Sequence, residues 1–194
     1  ICKSCVVSKQ SEISDQNVIL HSNVEINSFT SLSGRVEIGK NSKIQSNVSI
    51  GNNGFEVKGD NDYRKVVNHA GSVFIGENVE IHSFSAINSG LFRDQTYIGN
   101  NVKIDSFVII GHNVIVGDNT TITASTSILG SAIIGKNVFI SPGAIINNNI
   151  SIGDGSLVGL GEIVVKDLPE DSALYKGNIM QRAKFDQIIK KFRK

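Results

Sequence analysis

The chain has 194 residues, one domain's worth of material and enough to bury a core. Nineteen Lys and Arg against 18 Asp and Glu leave a formal charge of +1, which removes the electrostatic case for a nucleic-acid or membrane-surface binder. No run approaches the roughly eighteen apolar residues of a bilayer-spanning segment, so membrane insertion is not expected. Aromatics make up 6 %, Trp is absent and Pro occurs twice, while Ile, Val, Asn, Ser and Gly dominate. Such a composition favours short β segments joined by tight turns over a helical bundle.

At the start, Ile1 to Gln10 lack the apolar stretch of a secretory signal, and no initiator methionine is present, as expected of a trimmed chain. Cys2 and Cys5 form a lone Cys-x-x-Cys that reads as terminal packing, with the cytosol as the default compartment. A six-residue beat then begins. Aliphatic residues recur at Leu20, Ile26, Leu32, Ile38, Ile44 and Ile50, and again at Ile75, Ile81 and Ile87. From Ile98 the beat runs unbroken through Ile104, Ile110, Val116, Ile122, Ile128, Ile134, Ile140, Ile146, Ile152 and Val158 to Val164. A slower beat of 18 residues repeats an aliphatic-Gly-polar corner at Ile98-Gly99, Val116-Gly117, Ile134-Gly135 and Ile152-Gly153. Three strands per coil, each with one inward aliphatic, make a triangular solenoid in which every coil supplies the edge that the next one needs. Gly, Asn and Asp suit the left-handed backbone that sharp corners demand.

Three places break the beat. A polar insertion between Phe55 and Val73, with Glu56 to Lys65 at its centre, must leave the prism as a loop, and its length points to contact with a substrate or a subunit. A second corner is expelled around Arg93-Asp94-Gln95-Thr96. The repeat ends at Leu168-Pro169. From Asn178 the period changes, and Ala183, Phe185, Ile188, Ile189 and Phe192 form one helical stripe facing a partner surface, with the basic residues as a solvated face. The expected domains are 1–169, a β-helix with a loop insertion near 56–73, and 170–194, an extension with a helix.

The hexad pattern resembles the hexapeptide-repeat acyltransferase superfamily, whose fold is the left-handed parallel β-helix. Within it, the stretch from about Gly51 to Ile145 is similar to the UDP-3-O-acylglucosamine N-acyltransferases of lipid A synthesis. The likeness is carried by Gly51-Asn52-Asn53-Gly54-Phe55, Gly71 to Ile81, Ile98 to Asp105 and Gly111-His112-Asn113-Val114-Ile115-Val116-Gly117. The resemblance implies seven to eight coils and a homotrimer with active sites between neighbouring helices, in the bacterial cytoplasm. It also implies transfer of an acyl group from a pantetheine thioester, acetyl-CoA or acyl carrier protein, to an amino or hydroxyl group of a sugar, nucleotide-activated, with no metal. Those enzymes carry an N-terminal uridine-recognising domain, which here is expected to have been removed or never present.

Acyl transfer needs a base for the acceptor's proton and donors for the oxyanion on the acyl carbon. The resemblance places the base on His112, the one histidine of four in the third position of a regular hexad, where a plain surface histidine is the competing reading. Gly130, one coil further, takes the oxyanion role, although corner geometry alone could require a glycine there. Asp105 matches an acidic residue that would orient the imidazole or touch substrate from an adjacent subunit, or else serve its own corner. The family's second histidine is replaced at Asn149. The exit Val164 to Pro169 with Lys176-Gly177-Asn178 resembles acetyl-CoA-dependent members and gives Lys166 and Gly177 to the coenzyme, against the alternative of a simple helix terminus. A zinc-dependent carbonic anhydrase would need a further histidine close beyond His112, where Gly117 stands instead. A non-catalytic scaffold is the rival from another class.

Overall fold

The computed structural model describes residues 1–13, 17–60 and 62–192, excepting the side chain of Phe192. The chain is a parallel β-helix. Most hexads end in a two-residue strand whose second residue faces inward, and every aliphatic position of the six-residue beat is at most 2 % exposed. Strands pair in parallel with their counterparts one coil away, Ile26 against Ile44, Ile104 against Ile122 and Ile140 against Val158. The core is therefore a set of stacked aliphatic ladders inside a prism.

The prism has three faces, taken in chain order. Face 1 holds strands such as Glu25–Ile26, Lys43–Ile44, Glu80–Ile81 and Lys103–Ile104. Face 2 holds Ser49–Ile50, Ala86–Ile87, Ile109–Ile110 and their ladder partners, and face 3 holds Arg35–Ile38, Ser72–Ile75, Gln95–Ile98 and Ile115–Val116. Hydroxyls at the corners satisfy buried backbone: Ser42 donates to Gly76 O at 2.9 Å and Thr120 to Gly135 O at 2.8 Å.

The corner glycines serve a different purpose from the expected one. Left-handed backbone falls two residues after them, at Asn41, Asn78, Asn101, Asn119 and Asn137, with φ between 55° and 59°. The glycines instead allow coils to touch: a Cβ on Gly39 would stand 2.6 Å from the backbone of Gly76, and one on Gly117 2.7 Å from Gly135. The corner between faces 1 and 2 places Phe29, Phe84 and Phe107 in the same left-handed state at φ of 61°, 63° and 61°. Phe84 and Phe107 stack at 5.2 Å in the open.

The long insertion contains an antiparallel hairpin, Val57–Gly59 against Arg64–Val66. The second break lies a little earlier than the sequence suggests. Gln95 and Thr96 already belong to a strand, and the expelled residues run from about Asn88 to Asp94. Beyond Pro169, strand Ser172–Tyr175 continues face 1 in parallel with Leu157–Val158, then pairs antiparallel with Asn178–Gln181. The helix starts only at Arg182 and runs to Phe192. Its buried contact is Phe185 with Ile189, packed on Leu157, Ala173 and Met180, whereas Ala183 is exposed and does not share the stripe. No helix among the described residues is long and apolar enough to cross a membrane.

Candidate active site

Hexad phase decides what can meet. Ile50, Ile87 and Ile110 occupy successive coils of face 2, so the chain that follows each of them turns through the same corner, between faces 2 and 3. Both excursions leave the prism there, and His112 stands in the next coil of that corner. Above it, Ser131 N–H donates to His112 O at 2.8 Å and Asn149 N–H to Gly130 O at 3.1 Å, which stacks Gly130 and Asn148 over His112.

His112 is half-buried. A Cβ on Gly130 would lie 2.5 Å from its Nε2, so the imidazole lies across the bare Cα of that glycine. Among the described residues, the Gly130 N–H has no hydrogen-bond partner. A Cβ on Gly111 would come 2.8 Å from that nitrogen, so glycine at 111 keeps the amide uncrowded. Asn113, at φ 60°, ties down the second excursion: it accepts from Leu91 N–H at 2.6 Å and donates to Asp94 Oδ2 at 2.9 Å.

The long insertion folds back onto His112. His69 meets it edge to face, with ring centroids 5.4 Å apart. His69 is held through Nδ1, 2.9 Å from Ser89 O, and its own N–H donates to Asn53 Oδ1 at 2.9 Å. Arg35 donates to Ala70 O and pins the return of the insertion. Glu56 lies within electrostatic reach of the two rings. The Lys58 ammonium, 2.7 Å away, holds its carboxyl below the usual carboxylate range against desolvation, and His112 and His69 add a lesser effect in the same direction. None of His69, Glu56 and Asn113 stands out in the sequence as a site residue. The available signal was the arithmetic of the beat, which sends both insertions out through the corner of His112.

Asp105 is placed elsewhere, on the corner between faces 1 and 2, with Oδ1 3.8 Å from His82 Nδ1 and 2.7 Å from the Ser106 N–H. Within one chain it joins His82, not His112. Lys166 and Gly177 are brought together: both line a narrow cleft of about 90 Å³ with Val165, Leu174 and Ile179. Lys166 follows His112 by 54 residues on the same corner, three coils up, or about 14 Å at ordinary strand spacing. On the opposite side of the site, Arg35, Glu37, Ser72 and Gln95 line a hollow of about 360 Å³ on face 3. Among the described residues no three His, Cys, Asp or Glu side chains converge as metal ligands.

Fold and corner together give a parallel β-helix of six-residue repeats with a candidate site around His112. Residues 95–130 match the family model described as bacterial transferase hexapeptide (six repeats). The chain resembles the hexapeptide-repeat acyltransferases. It is 42 % identical over 96 residues to UDP-3-O-acylglucosamine N-acyltransferase of Ectopseudomonas mendocina, covering 50 % of this chain and 27 % of that one. The protein of the same name from Coxiella burnetii is 41 % identical over 113 residues, covering 58 % and 31 %. The chain thus spans less than a third of the length of these relatives. Its fold matches that of UDP-N-acetylglucosamine acyltransferase from Campylobacter jejuni with a TM-score of 0.75, at 17 % identity, over 99 % of this chain and 82 % of the other.

Proposed function

We propose that the protein transfers an acyl group from a pantetheine thioester to an amino or hydroxyl group of a sugar, nucleotide-activated, as in lipid A or surface-glycan synthesis. The observation that carries this reading is an imidazole edge lying against a glycine whose amide has no partner among the described residues. Nε2 of His112 takes the proton from the acceptor nitrogen or oxygen as that atom bonds to the thioester carbon. The carbonyl becomes an oxyanion, which the Gly130 N–H receives as a hydrogen-bond acceptor. Collapse of this intermediate breaks the carbon–sulfur bond, and the thiolate leaves with the proton held on His112. A positioned base contributes about 10²–10⁴ in rate, and an oxyanion donor about 10²–10³.

The substrates approach from opposite ends of the corner. The donor lies along the upper coils toward Lys166 and Gly177, and the acceptor sits on the side of the Arg35 hollow. Asp105 belongs to a neighbouring subunit's contribution, because its own chain holds it on another corner. We read the helix as left-handed, with seven to eight coils, in line with faces of seven and eight strands and a third extended to ten. The domain division at 169 and 170 separates the repeat from its capping extension. The assembly is a homotrimer in the bacterial cytoplasm. Its support is the distribution of outward side chains: Ile109, Ile145 and Ile163 on face 2 and Ile115 and Ile133 on face 3 are exposed, while face 1 carries the paired charges Glu25–Lys43 and Glu80–Lys103.

Calorimetric titration with acetyl-CoA and with a long-chain acyl carrier protein tests the reading. Saturable binding of acetyl-CoA makes it a sugar acetyltransferase, and binding of the carrier protein alone moves it to lipid A-type acylation. Binding of neither would leave a scaffold. With a donor in hand, His112→Ala is expected to fold and assemble normally but to lose turnover by about 10²–10⁴. Unchanged turnover would remove His112 from the mechanism.

A further inference from the structure

For Nε2 of an imidazole to accept a proton, the neutral ring must carry its hydrogen on Nδ1. In His112 that nitrogen is buried and has no hydrogen-bond partner. A buried N–H without an acceptor is costly, so an isolated His112 would be driven toward the wrong tautomer. Asp105, the carboxylate that could have fixed it, is engaged with His82.

The missing acceptor is on the insertion. His69 Nδ1 stands 2.9 Å from the carbonyl oxygen of Ser89, a contact that requires a proton on Nδ1. The 3.3 Å approach of the Gly54 N–H to the same nitrogen is then no hydrogen bond. With Nδ1 protonated, the neutral ring presents a lone pair at Nε2, and that atom is buried and partnerless as well. One ring therefore needs an acceptor and the touching ring needs a donor, and among the described residues neither has another partner. The rings touch without making the bond as they stand: they meet edge to face with centroids 5.4 Å apart, and a turn of one ring is needed to bring the two unpartnered nitrogens into line.

We propose that His69 is a positioning residue for His112, accepting a hydrogen bond from its Nδ1–H at Nε2 and so holding Nε2 of His112 free as the base. The chain of bonds runs from Ser89 C=O through His69 to His112: His69 stays on Ser89, and a turn of the His112 ring about its Cβ–Cγ bond aligns the two nitrogens. The insertion then does more than wall the corner. It carries the group that sets the tautomer of the base, a task given to a carboxylate in Ser-His-Asp triads. The catalytic consequence rests on His112 being the base, while the pairing itself does not.

Nitrogen-15 NMR of the histidine side chains in the full chain, at a pH where His112 is neutral, reads the pairing directly. The expected result is the Nδ1–H tautomer at His112 with a coupling across the hydrogen bond to His69 Nε2. An Nε2–H tautomer at His112 would overturn the proposal. Two substitutions separate positioning from loop anchoring. His69→Asn keeps an amide near Nδ1 for Ser89 but has nothing at the Nε2 position, whereas His69→Gln keeps an acceptor near Nε2 and gives up Ser89. Positioning predicts that the Asn variant loses the Nδ1–H tautomer and about tenfold in kcat at unchanged KM, and that the Gln variant retains both. The reverse order, or a wild-type tautomer in both, would reduce His69 to an anchor. If His112→Ala proves active while the coupling is present, the function falls and the pairing stands.

Discussion

A single missing carbon atom holds the candidate site in shape. Gly130 lies in the path of the His112 ring, with 2.5 Å between a built Cβ and Nε2, and has no positive φ to excuse its identity. Gly130→Ala should therefore leave the backbone unstrained and move the imidazole. Displacing a base by about 1 Å costs on the order of 10²-fold in rate. The expected outcome is a loss of that size in kcat, with a thermal midpoint close to wild type, checked by steady-state kinetics beside thermal unfolding. A wild-type kcat would mean that the ring has room to yield and that Gly130 answers only to the corner. This residue pair was legible in the sequence because 112 and 130 differ by one coil. His69 was not, since it precedes His112 by 43 positions and lies in a segment without period. No spacing rule relates the two until the insertion is folded back. The same limit applies to Asp105, whose proximity in sequence to His112 hides a change of corner.

At the level of elements, the hexads were readable because each aliphatic has one possible destination, the prism axis. Corners were readable only in part. Gly39 and its ladder mates look like turn glycines, but they are stacking glycines, and the strain falls on the asparagines that follow. Phenylalanine in the same backbone state has no local reason: a bulky side chain pays about 1–2 kcal/mol there, and Phe84 and Phe107 lie exposed. Asn113 combines the two demands, left-handed backbone and a tether for the second excursion. Comparing Asn113→Gly with Asn113→Ala separates them. Glycine removes only the two hydrogen bonds, whose net worth is about 0.5–1.5 kcal/mol each, and alanine adds the cost of the left-handed state. Both variants should be less stable, and alanine should be lower than glycine by about 1 kcal/mol in denaturant unfolding. Equal stabilities would show that the loop relaxes once Leu91 and Asp94 are released.

For the whole molecule, the decisive feature is that the three faces are unlike. Between the exposed Val6 and Phe139 of the same face, face 1 alternates Glu25, Lys43, Glu80 and Lys103 over four successive coils, a stretch that gains little by leaving water. Faces 2 and 3 present isoleucines outward on both sides of the corner that holds His112, so burying them in an assembly also encloses the site. In the homotrimer proposed above, a ring of identical prisms would cover both apolar faces at once and would bring another corner, with Asp105 and His82, toward the first. A charge set into this surface should then act on assembly and activity together. Ile109→Lys on face 2 keeps the inward Ile110 and the parallel pairing with Ser127, so the fold has no reason to fail. The expected result is a trimer-to-monomer shift in analytical ultracentrifugation with a fall in turnover, while the same change at Thr121 on face 1 leaves both untouched. A trimeric, active Ile109→Lys protein would take face 2 out of the interface and leave Asp105 without a route to His112.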